Sequence, residues 1–180
     1  LKEKAPKINL TEQGHLIQIK GISHASLNLQ NAQVAERQAK TAEIALKHYD
    51  CPINIQTEYS ETLSTGSGIA LWAIFSKEKD EIDARNPIRL GSDALGERGK
   101  KAEIVGQDAA QTLATEIESR TPVDAHLADQ IIPIMSLVSD SSIKPSKITN
   151  HTKTNIYTIE KFLGKSFQID QNNNIISTID

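Results

Sequence analysis

Between residues 32 and 75 the chain changes its hydrophobic period, and that change restricts its fold more than any other feature. Ala35, Ala39, Ala42, Leu46 and Tyr49 recur at three- and four-residue steps. A helix over 32–49 therefore has one apolar face, with Glu, Arg and Lys opposite. After Cys51-Pro52, residues Ile53, Ile55, Thr57 and Tyr59 alternate with polar neighbours, and Gly68 to Phe75 reads GIALWAIF. Alternation marks a half-buried strand, and an unbroken apolar run of that length reads as a second, neighbouring strand. Upstream, HLIQIK at His15 to Lys20 alternates as well, before Gly21 leads into ISHASLNL. Aromatic residues make up only 4% of the chain, so aliphatic packing of helices on a sheet is favoured over an aromatic-rich sandwich. The expected class is α/β, in the α+β sense.

The stretch from Ser76 to Gly99 is charged and rich in turn residues, which predicts a surface excursion or a short helix, with a boundary near its end. Ala102, Val105, Ala109, Leu113 and Ile117 mark a second helix. Thr121-Pro122-Val123-Asp124 then breaks the chain and opens a third, from about Ala125 to Val138. Pro133 falls inside that helix, where its missing amide predicts a kink. Residues 142–149 read as a linker with a short strand. Thr154 to Leu163 reads as a helix with Ile156, Ile159, Phe162 and Leu163 on one side, and Gly164 suits its C-terminal cap. The tail pairs KSFQID with IISTI around Gln171 to Asn174, a hairpin whose turn residues tolerate left-handed backbone.

A length of 180 residues allows one domain or two small ones. The net charge of −3 opposes a general nucleic-acid-coating role, although recognition of an RNA end needs only a few local cations. Cys51 is the single cysteine, which rules out an internal disulfide or a Cys-based zinc cluster and fits a reducing cytoplasm. No apolar run reaches the length of a membrane span, and the first twenty residues lack the apolar region of a signal peptide. The expectation is a soluble, cytoplasmic chain with no membrane partner. It opens on Leu1 and not on Met, so it is expected to belong to a longer protein.

His151, in SKITNHTKTNIYTIEKFL, is the candidate nucleophile. Neutral imidazole attacks phosphorus or acyl centres, and its ordinary pKa of about 6.5 leaves it largely neutral near pH 7. The predicted helix starts just beyond it, which places His151 on a loop beside free helix amides, a setting suited to a triphosphate. On spacing alone, a surface histidine at a helix entrance is the commoner outcome. In HLADQ, His126, Asp129 and Gln130 stand at three- and four-residue steps, so a helix gathers them along one edge that could hold a ribose and a base. A solvated first turn is the plainer reading. A metal site is expected at none of these positions, because the remaining ligands are not visible. Ser64 to Gly68 and Gly96 to Lys101 carry glycines but are not Walker motifs: the first leads into a strand, and the second lacks Ser or Thr after its lysine. Arg98, Lys100 and Lys101 remain candidate RNA-phosphate contacts, with a solvated basic turn as the plainer alternative. Arg37 and Lys40 read as solubilising.

Five ordered blocks carry a family resemblance: GISHASLNLQNAQVAERQA, STGSGIALWA, LGERGKKAEIVG, DAHLADQIIPIM and SKITNHTKTNIYTIEKFL. Over about His15 to Ile169 they resemble the carboxy-terminal half of RNA 3'-terminal phosphate cyclases. The resemblance implies repeated βαβαββ-type units like the C-terminal domain of translation initiation factor three, interrupted by a smaller insert of thioredoxin-like topology. By that analogy residues 1–21 supply a strand segment of the main domain, 22–95 the insert, and 96–180 the last repeat. It further implies that His151 takes AMP from ATP, with a divalent ion such as Mg2+, and passes it to an RNA 3'-phosphate that closes to a 2',3'-cyclic phosphate. Asp129 and Gln130 align with the nucleotide-contacting helix, and His126 falls where some members carry an aromatic residue. The family is roughly twice as long, and its amino-terminal half supplies arginine, glutamate and glutamine side chains to the same cleft, so that missing half is an expected partner. Two rivals remain: a cyclase-like ribosome-biogenesis factor without catalysis, whose known members lack the histidine, and an enolpyruvyl-transfer enzyme, which shares the architecture but not these blocks.

Overall fold

The computed structural model describes residues 6–79, 88–164 and 166–179. The chain divides into two compact units, Gly14–Glu118 and the pair of segments Leu1–Gln13 and Ser119–Asp180.

In Gly14–Glu118 the elements are β2 (His15–Ser26), a 3-10 helix (Leu27–Ala32), α1 (Val34–Leu46), β3 (Ile53–Ser60), β4 (Ser67–Ser76), β5 (Ile88–Leu95) and α2 (Ala102–Glu118). The sheet order is β3-β2-β4-β5. β2 runs parallel to β3 and antiparallel to β4, and β4 runs antiparallel to β5. Alternate residues of β4, Ile69, Leu71, Ala73 and Phe75, are buried with Ile19, Leu90 and the α1 face Ala39, Ala42 and Leu46. Val105, Ala109, Leu113 and Ile117 bring α2 into the same core, as the three- and four-residue spacing requires.

The two helices approach so closely that a Cβ on Gly106 would stand 2.2 Å from the Gln38 carbonyl oxygen. Gln38, fully buried, is satisfied by polar partners: the Ser23 hydroxyl donates to its Oε1 at 2.9 Å, and its Nε2 donates to Ser67 Oγ at 3.0 Å.

β5 corrects the expected excursion between Ser76 and Gly99. It pairs with β4 along its whole length, from Ile88 opposite Phe75 to Leu95 opposite Gly68. Its sequence, IRLGSDAL, hides the pattern because Ser92 occupies an inward position. The Ser92 hydroxyl donates to the Ala109 carbonyl of α2 at 2.8 Å, which removes the cost of an unpaired polar group there. Residues 80–87 of the expected excursion lie outside the described residues. The compact unit Gly14–Glu118 is wider than residues 22–95: β2 runs through Gly21 without interruption, and α2 packs on α1.

The other unit contains β1 (Asn9–Leu10), α3 (Ala125–Met135), β6 (Ser142–Ile143), α4 (Asn150–Leu163), β7 (Ser166–Asp170) and β8 (Ile175–Ile179). Its sheet order is β1-β6-β8-β7, with β1 parallel to β6 and the remaining pairs antiparallel. Val123, Ala128, Ile132, Met135, Ile143, Ile156 and Ile176 form its core. β7 and β8 make the expected hairpin, with Asn174 at φ 54° and Asp170 accepting from the Asn172 and Asn173 amides. Gly164 caps α4 in the left-handed conformation, its amide donating to the Glu160 carbonyl at 3.2 Å.

Candidate active site

α4 starts four residues earlier than the apolar pattern predicts. Thr149, in extended backbone, is the N-cap, and its Oγ1 accepts from the Thr152 amide at 3.1 Å. The buried Thr152 hydroxyl lies 3.1 Å from the same oxygen. This pair of threonines carries no apolar signal, which is why the hydrophobic face at Ile156 and Ile159 marked only the later turns. His151 is therefore not on a loop before the helix. It occupies the first turn of α4, with its side chain exposed. The first-turn amides of a helix have no intrahelical acceptor, and of those in α4 the Thr152 amide is taken by the Thr149 cap.

α3 is opened by Asp124, whose Oδ1 accepts from the His126 amide at 3.0 Å and the Leu127 amide at 2.7 Å. His126 and Gln130 are exposed and Asp129 is half-buried, so all three lie on accessible helix surface while Ala128 and Ile132 face the core.

The connection between the two motifs passes through Pro133. In an α-helix the amide of residue 133 would donate to the carbonyl of residue 129. Proline has no such amide. The Asp129 carbonyl instead accepts from Asn155 Nδ2 at 2.8 Å. Asn155 stands four residues after His151, so both project from the same side of α4. The helix carrying the candidate nucleophile is thereby tied to the helix carrying the candidate nucleotide contacts, at the position Pro133 leaves open. α3 ends two residues later, where the Ser136 hydroxyl donates to the Pro133 carbonyl at 2.6 Å. Sequence reasoning flagged Pro133 as a kink and did not single out Asn155. The signal was available as an interior proline four residues after a candidate contact, facing a helix rich in amide and hydroxyl side chains.

The basic turn lies in Gly14–Glu118. Arg98 and Lys101 are exposed, and Lys100 donates to Asp108 Oδ2 at 2.8 Å, which raises its pKa. Arg37, read from the sequence as solubilising, makes a two-point ion pair with Glu103, Nε and Nη2 each 2.8 Å from a carboxylate oxygen. That guanidinium holds the Glu103 carboxyl below the usual range, chiefly by hydrogen bonding. Among the described residues, no group of three or more His, Cys, Asp or Glu side chains is placed to hold a metal ion. No described helix is long and apolar enough to cross a membrane.

A model of the insert domain of RNA 3'-terminal phosphate cyclase matches residues 11–118, well over half the chain. The chain belongs to the RNA 3'-terminal phosphate cyclase family. It is 46% identical over 160 residues to the RNA 3'-terminal phosphate cyclase of Pyrococcus abyssi, covering 89% of this chain and 43% of that protein. It is 45% identical over 170 residues to that of Thermococcus onnurineus, covering 94% and 46%. Against the cyclase of Archaeoglobus fulgidus, identity is 41% over 159 residues, covering 88% and 44%. The chain therefore spans less than half the length of these cyclase relatives, and the alignments include the α3 and α4 region as well as the insert.

Proposed function

We propose that this chain is the insert and carboxy-terminal portion of an ATP-dependent enzyme that converts an RNA 3'-terminal phosphate to a 2',3'-cyclic phosphate in the cytoplasm. The observation that carries the reading is the Asn155 bond to the Asp129 carbonyl, which joins the helix of His151 to the helix of Asp129 and Gln130. A neutral His151 imidazole attacks the α-phosphorus of ATP; the bond to the β-phosphate oxygen breaks, and pyrophosphate leaves. An oxygen of the RNA 3'-phosphate then attacks the histidine-bound phosphorus, releasing the imidazole and joining AMP to the RNA end. The neighbouring 2'-hydroxyl attacks the activated 3'-phosphorus, loses its proton and expels AMP. Adenylation is needed because a phosphate monoester oxygen is a poor leaving group, whereas AMP is a good one.

In this reading His126, Asp129 and Gln130 contact the adenosine, Arg98, Lys100 and Lys101 contact RNA phosphate, and ATP enters with a divalent cation such as Mg2+. The amino-terminal half found in the family completes the cleft. The Gly14–Glu118 sheet order, a parallel β2-α1-β3 unit followed by antiparallel β4 and β5 with both helices on one face, supports a thioredoxin-like insert. The other unit is read as the last repeat of the initiation-factor-three type.

Incubation of a polypeptide of full family length with a 3'-phosphorylated RNA, ATP and magnesium should yield the cyclic end and AMP. Absence of both from a well-folded protein would turn the assignment to a non-catalytic RNA- or protein-binding relative.

A further inference from the structure

Within Gly14–Glu118 a cleft of about 650 Å³ opens between the loop before β4 and the turn that leads into α2. Its charge is opposite to that of the unit around it. Gly14–Glu118 carries eleven Lys and Arg against fifteen Asp and Glu, yet among the described residues that line the cleft Arg37, Arg98, Lys100 and Lys101 outnumber the one carboxylate, Glu97. Segregation of cations against the net charge makes a local field that concentrates anions.

The walls are fixed from within. Buried Gln38 holds Ser67 through its hydroxyl at 3.0 Å. The Gly96 amide donates to the Ser67 carbonyl at 2.8 Å, and a side chain on Gly96 would collide with Ser67 Oγ at 2.2 Å. The Gly66 amide donates to Ser26 Oγ at 2.9 Å. Two of the four cations are held in carboxylate pairs, Arg37 with Glu103 and Lys100 with Asp108, each at 2.8 Å. Arg98 and Lys101 have no ion pair among the described residues and stand exposed. Leu29, Val34 and Val105 supply an aliphatic wall beside them.

From this arrangement we infer that the cleft is a binding subsite for single-stranded RNA, in which Arg98 and Lys101 hold backbone phosphates and the aliphatic wall accepts a ribose or base. The subsite rests on the reading of the chain as an RNA-end enzyme, and deepens it: the insert grips nucleotides other than the one that reacts. Cations paired to phosphates confer affinity without sequence preference, which suits an enzyme that must act on RNA ends of varied sequence.

The test uses the polypeptide of full family length, wild type beside Arg98→Glu/Lys101→Glu and the neutral Arg98→Ala/Lys101→Ala. Two probes are compared: a dinucleotide with a 3'-phosphate, and a single-stranded RNA of about 15 nucleotides. With the longer RNA, the charge-reversed variant should show a KM raised about tenfold or more at unchanged kcat. The slope of log binding constant against log salt should be shallower by about 1.4 for two lost contacts. With the dinucleotide, which offers fewer backbone phosphates, the KM should rise by a clearly smaller factor than with the longer RNA. Equal loss on both probes, no loss on the longer one, or competition for the cleft by ATP alone would overturn the subsite. The alanine variant guards against misfolding of the charge-reversed one, and should show the same selective loss at smaller size. Anisotropy with a 3'-hydroxyl RNA reads the cleft without any chemistry. Salt-dependent binding lost in the variants would uphold the subsite even if no AMP attached, a result that would count against the catalytic reading alone.

Discussion

If Pro133 opens the Asp129 carbonyl to Asn155, the two residues must be energetically coupled although they do not bond to each other. Asn155→Ala removes the 2.8 Å bond to that carbonyl and leaves a part-buried acceptor with no helical donor, because residue 133 has no amide. The expected cost is about 1–2 kcal/mol, the sum of a lost neutral hydrogen bond and part of the desolvation of an unmet carbonyl. Pro133→Ala supplies the missing amide and restores the ordinary helical bond. In that background Asn155→Ala should cost about 0.5 kcal/mol or less, giving a coupling of about 1 kcal/mol in a double-mutant cycle. Pro133→Ala alone should not destabilise, since proline is unfavourable in a helix interior by about 3 kcal/mol relative to alanine. Urea denaturation followed by circular dichroism measures all four proteins. Equal cost of Asn155→Ala in both backgrounds, or no cost with Pro133 present, would refute the account of how α3 and α4 are joined.

Gly106→Ala should destabilise by about 1–3 kcal/mol despite the better helix propensity of alanine. Its Cβ would meet the Gln38 carbonyl at 2.2 Å, and the facing helices have no slack; a gain in denaturation midpoint would contradict the packing. Thr149→Ala should cost about 1 kcal/mol through loss of the α4 cap, with Thr149→Ser restoring most of it in the same denaturation assay. Glu103 is held below the ordinary carboxylate range by Arg37, so its contribution to stability is present above that range and is lost as pH falls through the lowered value. The melting temperature of wild type should thus exceed that of Glu103→Gln near neutrality, by little because both partners are exposed, and the gap should close in acid. A gap that widened in acid would contradict the pairing.

The parts of the fold legible in the sequence were those where one period governs many residues. α1 and α2 bury the alanine and leucine steps that mark them, and the hairpin closes on Asn174 with the left-handed backbone its composition allows. The parts that were not legible depend on polar groups satisfied from a distance. Ser92 breaks the apolar pattern of β5 because its partner is the Ala109 carbonyl of α2. The threonine cap that draws His151 into α4 is a polar device with no hydrophobic signature. Pro133 looked like a defect until its vacant acceptor found Asn155. The candidate residues themselves, His151, His126, Asp129 and Gln130, rested on family blocks and not on spacing. The basic turn was visible as composition, but its cleft depends on Ser67, which Gln38 places from another element.

The most direct test is the intact mass of a polypeptide of full family length after incubation with ATP and magnesium, quenched without acid, with His151→Ala beside it. An increase equal to one AMP in wild type, and none in His151→Ala of unchanged fold, is the predicted result. An equal increase in both proteins, or no increase in well-folded wild type, would contradict the assignment of His151 as the nucleophile.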